Sequence, residues 1–172
     1  MNRRDFSKIA VLCPIQVWAQ ETVESTIIGV GPFEFPIAGR FTYTKVNGAT
    51  QIAVAGTDRT YTVVMFRDQT GAEPPERISQ FATSVQASWE RFARQEKGMV
   101  VRQFQRTDLT PGLSVMSMAT EFGSRASRQY YVQFAATNGA DSAVIFPEGS
   151  GSAAKALTEL EPLIKRVRMV PR

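Results

Sequence analysis

The stretch ERISQFATSVQASWERFARQEK, residues 76–97, decides how the rest of the chain is read. Its apolar residues Ile78, Phe81, Val85, Trp89 and Phe92 recur every three or four positions, which places all five on one face of an α-helix. Pro74 and Pro75 stand at its entry, where a missing backbone N–H is harmless, and Glu76 suits the positive end of the helix dipole. Lys97 and Gly98 are the expected closing residues. A long helix with one apolar stripe needs a sheet to lie on, and strand-like segments flank it on both sides.

Upstream, TIIGVGPFEFPIAG (26–39) is punctuated by Gly29, Gly31, Pro32 and Pro36 and reads as one strand, or two short ones, at a sheet edge. Phe41, Tyr43 and Lys45 then alternate with Thr42, Thr44 and Val46, and Asn47-Gly48 follows, which predicts a hairpin pairing 41–46 with 50–55. YTVVMFR (61–67) is apolar on both faces and is expected at the sheet centre, covered on both sides.

Downstream, strands are predicted over 99–106, 113–122, 128–137 and 142–146, with turn residues such as Pro111-Gly112 and Asn138-Gly139 between them. This spacing describes an antiparallel meander. A second amphipathic helix follows, with Ala153, Leu157, Leu160, Ile164 and Val167 on one face and Pro162 placed to kink or shorten it. The fold class is therefore α+β: an antiparallel sheet flanked by helices.

At 172 residues, 43% hydrophobic and 21% charged, the chain is long enough for one domain with its own core. It divides into a signal peptide (1–19), a polar spacer (20–26) and one globular domain (27–172). The opening MNRRDFSKIAVLCPIQVWAQ carries a charged start, an apolar run and a small Ala19 before Gln20, a loose fit to signal-peptidase cleavage. Arg3, Arg4, Phe6 and Lys8 resemble a twin-arginine export signal, from which Asn2 and Ser7 depart. An N-terminal amphipathic arm is the competing reading, kept open by Pro14 and Gln16. Stable membrane insertion is not expected, because the run is well short of the about 20 residues a spanning helix needs. The expected location is the periplasm, by either the twin-arginine or the general route.

The formal charge of +4 owes part of its value to this segment. Residues 1–19 hold three of the 20 basic and one of the 16 acidic residues, so the remainder is net +2 and dispersed, which argues against nucleic acid.

The chain has no histidine, and its one cysteine, Cys13, falls inside the signal segment. Ser-His-Asp and Cys-His nucleophile systems are excluded, and so are imidazole and thiolate metal sites in the processed chain. Carboxylate chemistry remains. It needs two acids held about 5–9.5 Å apart, and Glu34, Asp58, Asp68, Asp108, Glu121, Asp141 and Glu148 stand in no recognisable frame. Asp58, Asp108 and Asp141 sit beside turn residues and read as turn formers.

Gly149-Ser150-Gly151-Ser152-Ala153-Ala154 matches G-x-G-x-x-A, but residues 155–172 leave no room for the next strand of a dinucleotide fold. Ser150 or Ser152 as a helix N-cap accounts for it. Tyr43, Tyr61, Tyr130, Tyr131, Phe104 and Phe134 read as core and cross-strand pairs before they read as a stacking platform. Arg59, Arg67, Arg125 and Arg128 flank strands; solvated strand ends are one reading, anchors for an acidic partner the other.

The order of phrases, from FEFPIAG through the hairpin, TVVMF, the long helix, the meander and the terminal LIKRVRM, resembles the PsbP/DcrB-like superfamily over residues 27–169. The resemblance implies an α/β/α sandwich with no shared catalytic residues. It also implies an accessory or binding role, including type VI secretion immunity proteins. The leading expectation is a non-catalytic periplasmic binding protein with a protein partner and no cofactor. An immunity protein against a secreted toxin is one form of it. The alternatives are a small-ligand or lipid-binding envelope protein and, behind it, a carboxylate-dependent envelope hydrolase.

Overall fold

The helix over 76–97 begins two residues earlier than the sequence suggests, because both prolines join its first turn: α1 spans Pro74–Gln95. In the computed structural model, which describes residues 21–25, 28–37, 39–46, 49–67, 73–124 and 127–170, it packs on a large antiparallel sheet. Arg3, Arg4, Phe6, Lys8, Ala19, Gln20, the Asn47-Gly48 turn and Arg125 lie outside the described residues.

The strands are β1 (Glu21–Ser25), β2 (Ile28–Val30), β3 (Phe33–Phe35), β4 (Gly39–Val46), β5 (Ala49–Val54) and β6 (Thr60–Arg67) before α1. After it come β7 (Met99–Thr110), β8 (Leu113–Phe122), β9 (Gln129–Thr137), β10 (Asp141–Ser150), α2 (Ala153–Ile164) and β11 (Arg168–Met169). Eight strands form one sheet in the order β1-β4-β5-β6-β10-β9-β8-β7, and β11-β3-β2 form a second. The two meanders join where β10 returns to pair with β6, and α1 makes the crossover between them. The fold is α+β with a mostly single large antiparallel sheet.

Several expectations shift. The polar spacer forms a strand, β1, at the edge beside β4. The Gly- and Pro-rich opening does not edge the main sheet; β2 and β3 pair with each other and with β11. β7 runs on to Thr110, with register irregularities along its pairing with β8. β10 continues through Pro147 to Ser150, and its pairing to β9 skips Phe146 and Pro147 before resuming at Glu148↔Tyr131.

The two helices lie on opposite faces. On one, α2 and the small sheet share a core with Phe41, Ile52, Tyr61, Val132, Phe134 and Ile145. On the other, Ala82, Val85, Trp89 and Ala93 of α1 meet Met116, Met118, Ala135 and Val144. The buried stripe of α1 is thus Ile78, Ala82, Val85, Trp89 and Ala93, with two alanines in place of Phe81 and Phe92, which pack at its flanks. Tyr43, Tyr61, Tyr130, Tyr131, Phe104 and Phe134 divide between the two faces, so they form no common platform.

The end of α1 differs from expectation in a defined way. Lys97, at φ 54, takes the left-handed position usually given to glycine, and Gly98 N–H bonds back to the Ala93 carbonyl at 2.8 Å. Gly98 is needed one step later for space: a Cβ there would collide with Thr120 and Phe122.

β6 is central in strand order, but it is not covered on both faces. Met65 and Phe66 are 40% and 46% exposed. The strands buried on both faces are β8, β9 and β10, because α1 lies over that half of the sheet.

Candidate functional site

The β5–β6 turn and the β10–α2 junction converge beside the first two turns of α2, and between them runs an open groove of about 340 Å³. The turn is locked locally. Thr57 N–H and its hydroxyl both donate to the Val54 carbonyl, at 3.2 and 3.1 Å, and Thr57 Oγ1 accepts from Arg59 N–H at 3.1 Å. That leaves Asp58 and Arg59 aimed away from their own turn.

Asp58 Oδ2 accepts the Ser150 N–H at 2.8 Å, tying the turn to the β10–α2 junction. The Ser150 hydroxyl and amide hold its carboxyl below the usual carboxylate range. Arg59 reaches inward: Nε donates to the Tyr130 hydroxyl at 2.9 Å and Nη2 to Glu159 Oε2 on α2 at 2.7 Å. Burial opposes the charge on Arg59, but Glu159 and Tyr130 outweigh it and the guanidinium stays firmly protonated. The same hydrogen bond from Arg59, helped by Lys155, holds the Glu159 carboxyl low. Gly149 lets Tyr130 stand against the backbone, since a Cβ there would lie 2.8 Å from its hydroxyl.

Glu121 explains the serine-rich junction better than the serines do. Ser152 occupies the N-cap position of α2 but makes no capping bond. Instead Glu121 Oε1, reaching from β8, accepts the Ala153 N–H at 2.8 Å and the Ser152 hydroxyl at 3.0 Å, while Oε2 lies 3.5 Å from Arg128 Nε. A buried carboxylate therefore fills the positive end of α2, a position that favours negative charge.

Of the four arginines singled out, Arg59 lines the groove and Arg128 borders it, with the Arg128 carbonyl accepting Gly151 N–H at 2.8 Å. Both guanidiniums face carboxylates of the chain itself. The Arg67 side chain and Arg125 lie outside the described residues. Tyr130, Glu159, Lys155 and Glu121 were not singled out as partners of these arginines. Arg59 and Glu159 are a hundred positions apart, and no spacing rule links a turn to a helix face at that distance.

Two of the other candidate acids are also engaged. Glu34 pairs with Arg168 at 2.6 Å, and Asp108 accepts from Ser114 and Arg106, which hold its carboxyl low. In the 138–141 turn Asn138 Oδ1 accepts the Ala140 and Asp141 amides. Asp68 lies outside the described residues. Carboxyls pulled low are ionised at neutral pH and cannot serve there as general acids.

Between α2 and the sheet, Phe35, Ile37, Phe134, Leu160 and Leu163 enclose a gap of about 10 Å³, the size of one water and far below an acyl chain. Among the described residues no group of three acidic, histidine or cysteine side chains is arranged to hold a metal, and no helix is long and apolar enough to cross a membrane. Compared with known proteins, the chain matches no family model and no curated protein.

Proposed function

We propose that this chain is a non-catalytic periplasmic binding protein of the PsbP/DcrB-like sandwich type. In this reading the groove beside α2 is the surface that holds its protein partner. The observation that carries the proposal is the chemistry of the groove. Its carboxylates are bound by an arginine or by backbone amides, its arginine is oriented by a tyrosine, and its rim is built from a locked turn. Such a site is polar, and its carboxylates are held in their charged form by their partners, which suits recognition rather than turnover. In its specific form the partner is a secreted toxin and the chain its immunity protein.

A photo-cross-linking residue at Thr57, with a second at Gln103 on β7 as control, tests the surface. One discrete protein adduct from Thr57 and none from Gln103 is expected in the native envelope; equal labelling from both positions would sink it. Competition on a solid surface tests the immunity form. A deletion strain should be killed by its parent on contact and rescued by the chain in trans, and survival of the unrescued strain argues against that form. Export is checked with an alkaline phosphatase fusion, which should be active outside the cytoplasm and lose activity in Arg3→Lys/Arg4→Lys if the twin-arginine route is used.

A further inference from the structure

We infer that the groove recognises a carboxylate on an acidic segment of the partner protein, and that Glu159 occupies the carboxylate's place in the free chain. The inference rests on the reading of the groove as the partner surface. Arg59 donates through Nε to Tyr130 and through Nη2 to Glu159, and the Tyr61 side chain stands against the same guanidinium. The orientation of the guanidinium is set by Tyr130 independently of Glu159. The Arg59 side chain is only 23% exposed, so the charge is partly desolvated and favours a carboxylate partner.

Glu159 is the exchangeable member. Its side chain is 47% exposed and it bonds Arg59 through one oxygen, an arrangement that little free energy holds in place. Lys155, one turn earlier on α2 and also lining the groove, is placed to receive a second carboxylate oxygen or the next acidic residue. Asp58, the other anion in the groove, is neutralised in part by the Ser150 amide, so the incoming charge meets less repulsion than a count of acids suggests.

The test follows the Arg59 Nε–H and Gly151 amide NMR signals of the purified protein during titration with three probes. These are a capped Glu-Ala-Glu-Ala-Glu-Ala peptide, the capped Gln-Ala-Gln-Ala-Gln-Ala peptide, and the glutamine peptide with a free C-terminal carboxylate. Glutarate is the small-molecule control. The glutamate peptide should give saturable shifts that weaken with added salt. Glu159→Gln should tighten its binding by about two- to five-fold, the range an exposed ion pair can supply. Lys155→Ala, an exposed change that leaves the Arg59–Tyr130 pair intact, should weaken it, and Arg59→Gln should remove the shift at Gly151.

Absence of saturable shifts, an unchanged response in Arg59→Gln, or weaker binding in Glu159→Gln overturns the inference. Equal affinity for glutarate does so too, since it reveals a site for free dicarboxylates. Stronger binding by the free C-terminus than by glutamates moves the recognised group to a chain end, and so overturns the acidic-segment form. If the Thr57 adduct forms but is indifferent to Arg59→Gln, the carboxylate inference fails while the partner surface stands. If the peptide binds and no adduct forms, the partner surface fails instead.

Discussion

The two halves of the large sheet differ in what lies on one face. Over β8, β9 and β10 the face toward α1 carries Met116, Met118, Ala135 and Val144, all buried under the helix. Over β4, β5 and β6 the continuation of that face carries Thr42, Thr44, Gln51, Thr60 and Thr62, which stay partly exposed, with Ala53 open to solvent. The opposite face carries the larger apolar core in both halves, from Phe41 and Ile52 to Phe134 and Ile145. One sheet is thus a three-layer structure on one side and a two-layer structure on the other, and sequence pattern follows cover strand by strand. The groove lies on the α2 side of the junction, where the first-half turn at 55–59 meets second-half elements.

The largest expected break in the comparison is Trp89→Ala. Trp89 is 3% exposed and packs against Phe104 at 5.9 Å between ring centres, so its loss should cost about 3–5 kcal/mol in urea unfolding. Next is Glu121→Ala, which asks whether the second half needs α2 as much as α1. It leaves the Ala153 amide and Ser152 hydroxyl without their acceptor, and a loss of about 1–3 kcal/mol is expected by the same measurement.

A matched pair sharpens the contrast directly. Ala135 and Ala53 sit on the same face of the sheet, one fully buried and one exposed. Ala135→Leu should destabilise by about 1–3 kcal/mol through overpacking, while Ala53→Leu should stay within about 0.5 kcal/mol. Similar costs at both sites would mean that the first half is covered in solution. Hydrogen exchange should agree, with β4 and β5 amides exchanging ahead of those in β8 and β9.

The smallest effect is electrostatic. Asp58 and Glu159 at the groove, and Asp108 on β7, have folded pKa values below their unfolded values near 4. Their contribution is present in full above the unfolded values and is lost as pH falls through the folded ones. Thermal midpoints should therefore be flat with respect to these groups down to about pH 5 and fall below about pH 4. Arg59→Gln should make that fall shallower by less than about 1 kcal/mol, since the pair is solvent-screened.

Local chemistry was readable where one segment decides it. Alternation in 41–46 and 50–55, the second of which forms its strand one residue earlier at 49–54, the prolines at the start of α1, the 3–4 spacing in both helices and the order of elements all needed only neighbours in the chain. Whether β6 would be covered was not so decided, because an apolar strand does not state which helix lies over it. The capping of α2 was hidden for the same reason: Ser152 looks like a cap in sequence, and only the approach of β8 brings a carboxylate that competes for its amides. Gly98 was recognised as a helix end, yet its reason is the crowding of Thr120 and Phe122 from another strand.

By itself the sequence determined the α+β class, the long helix as divider of a hairpin-led first half from a four-strand second half, and the absence of histidine chemistry, all consequences of residue type and short-range periodicity. The tertiary structure decided which half of the sheet is covered, which acid caps α2, and that Arg59, Tyr130 and Glu159 meet. Those depend on packing between elements far apart in the chain, where burial and charge pairing act on distance in space and leave no pattern in spacing.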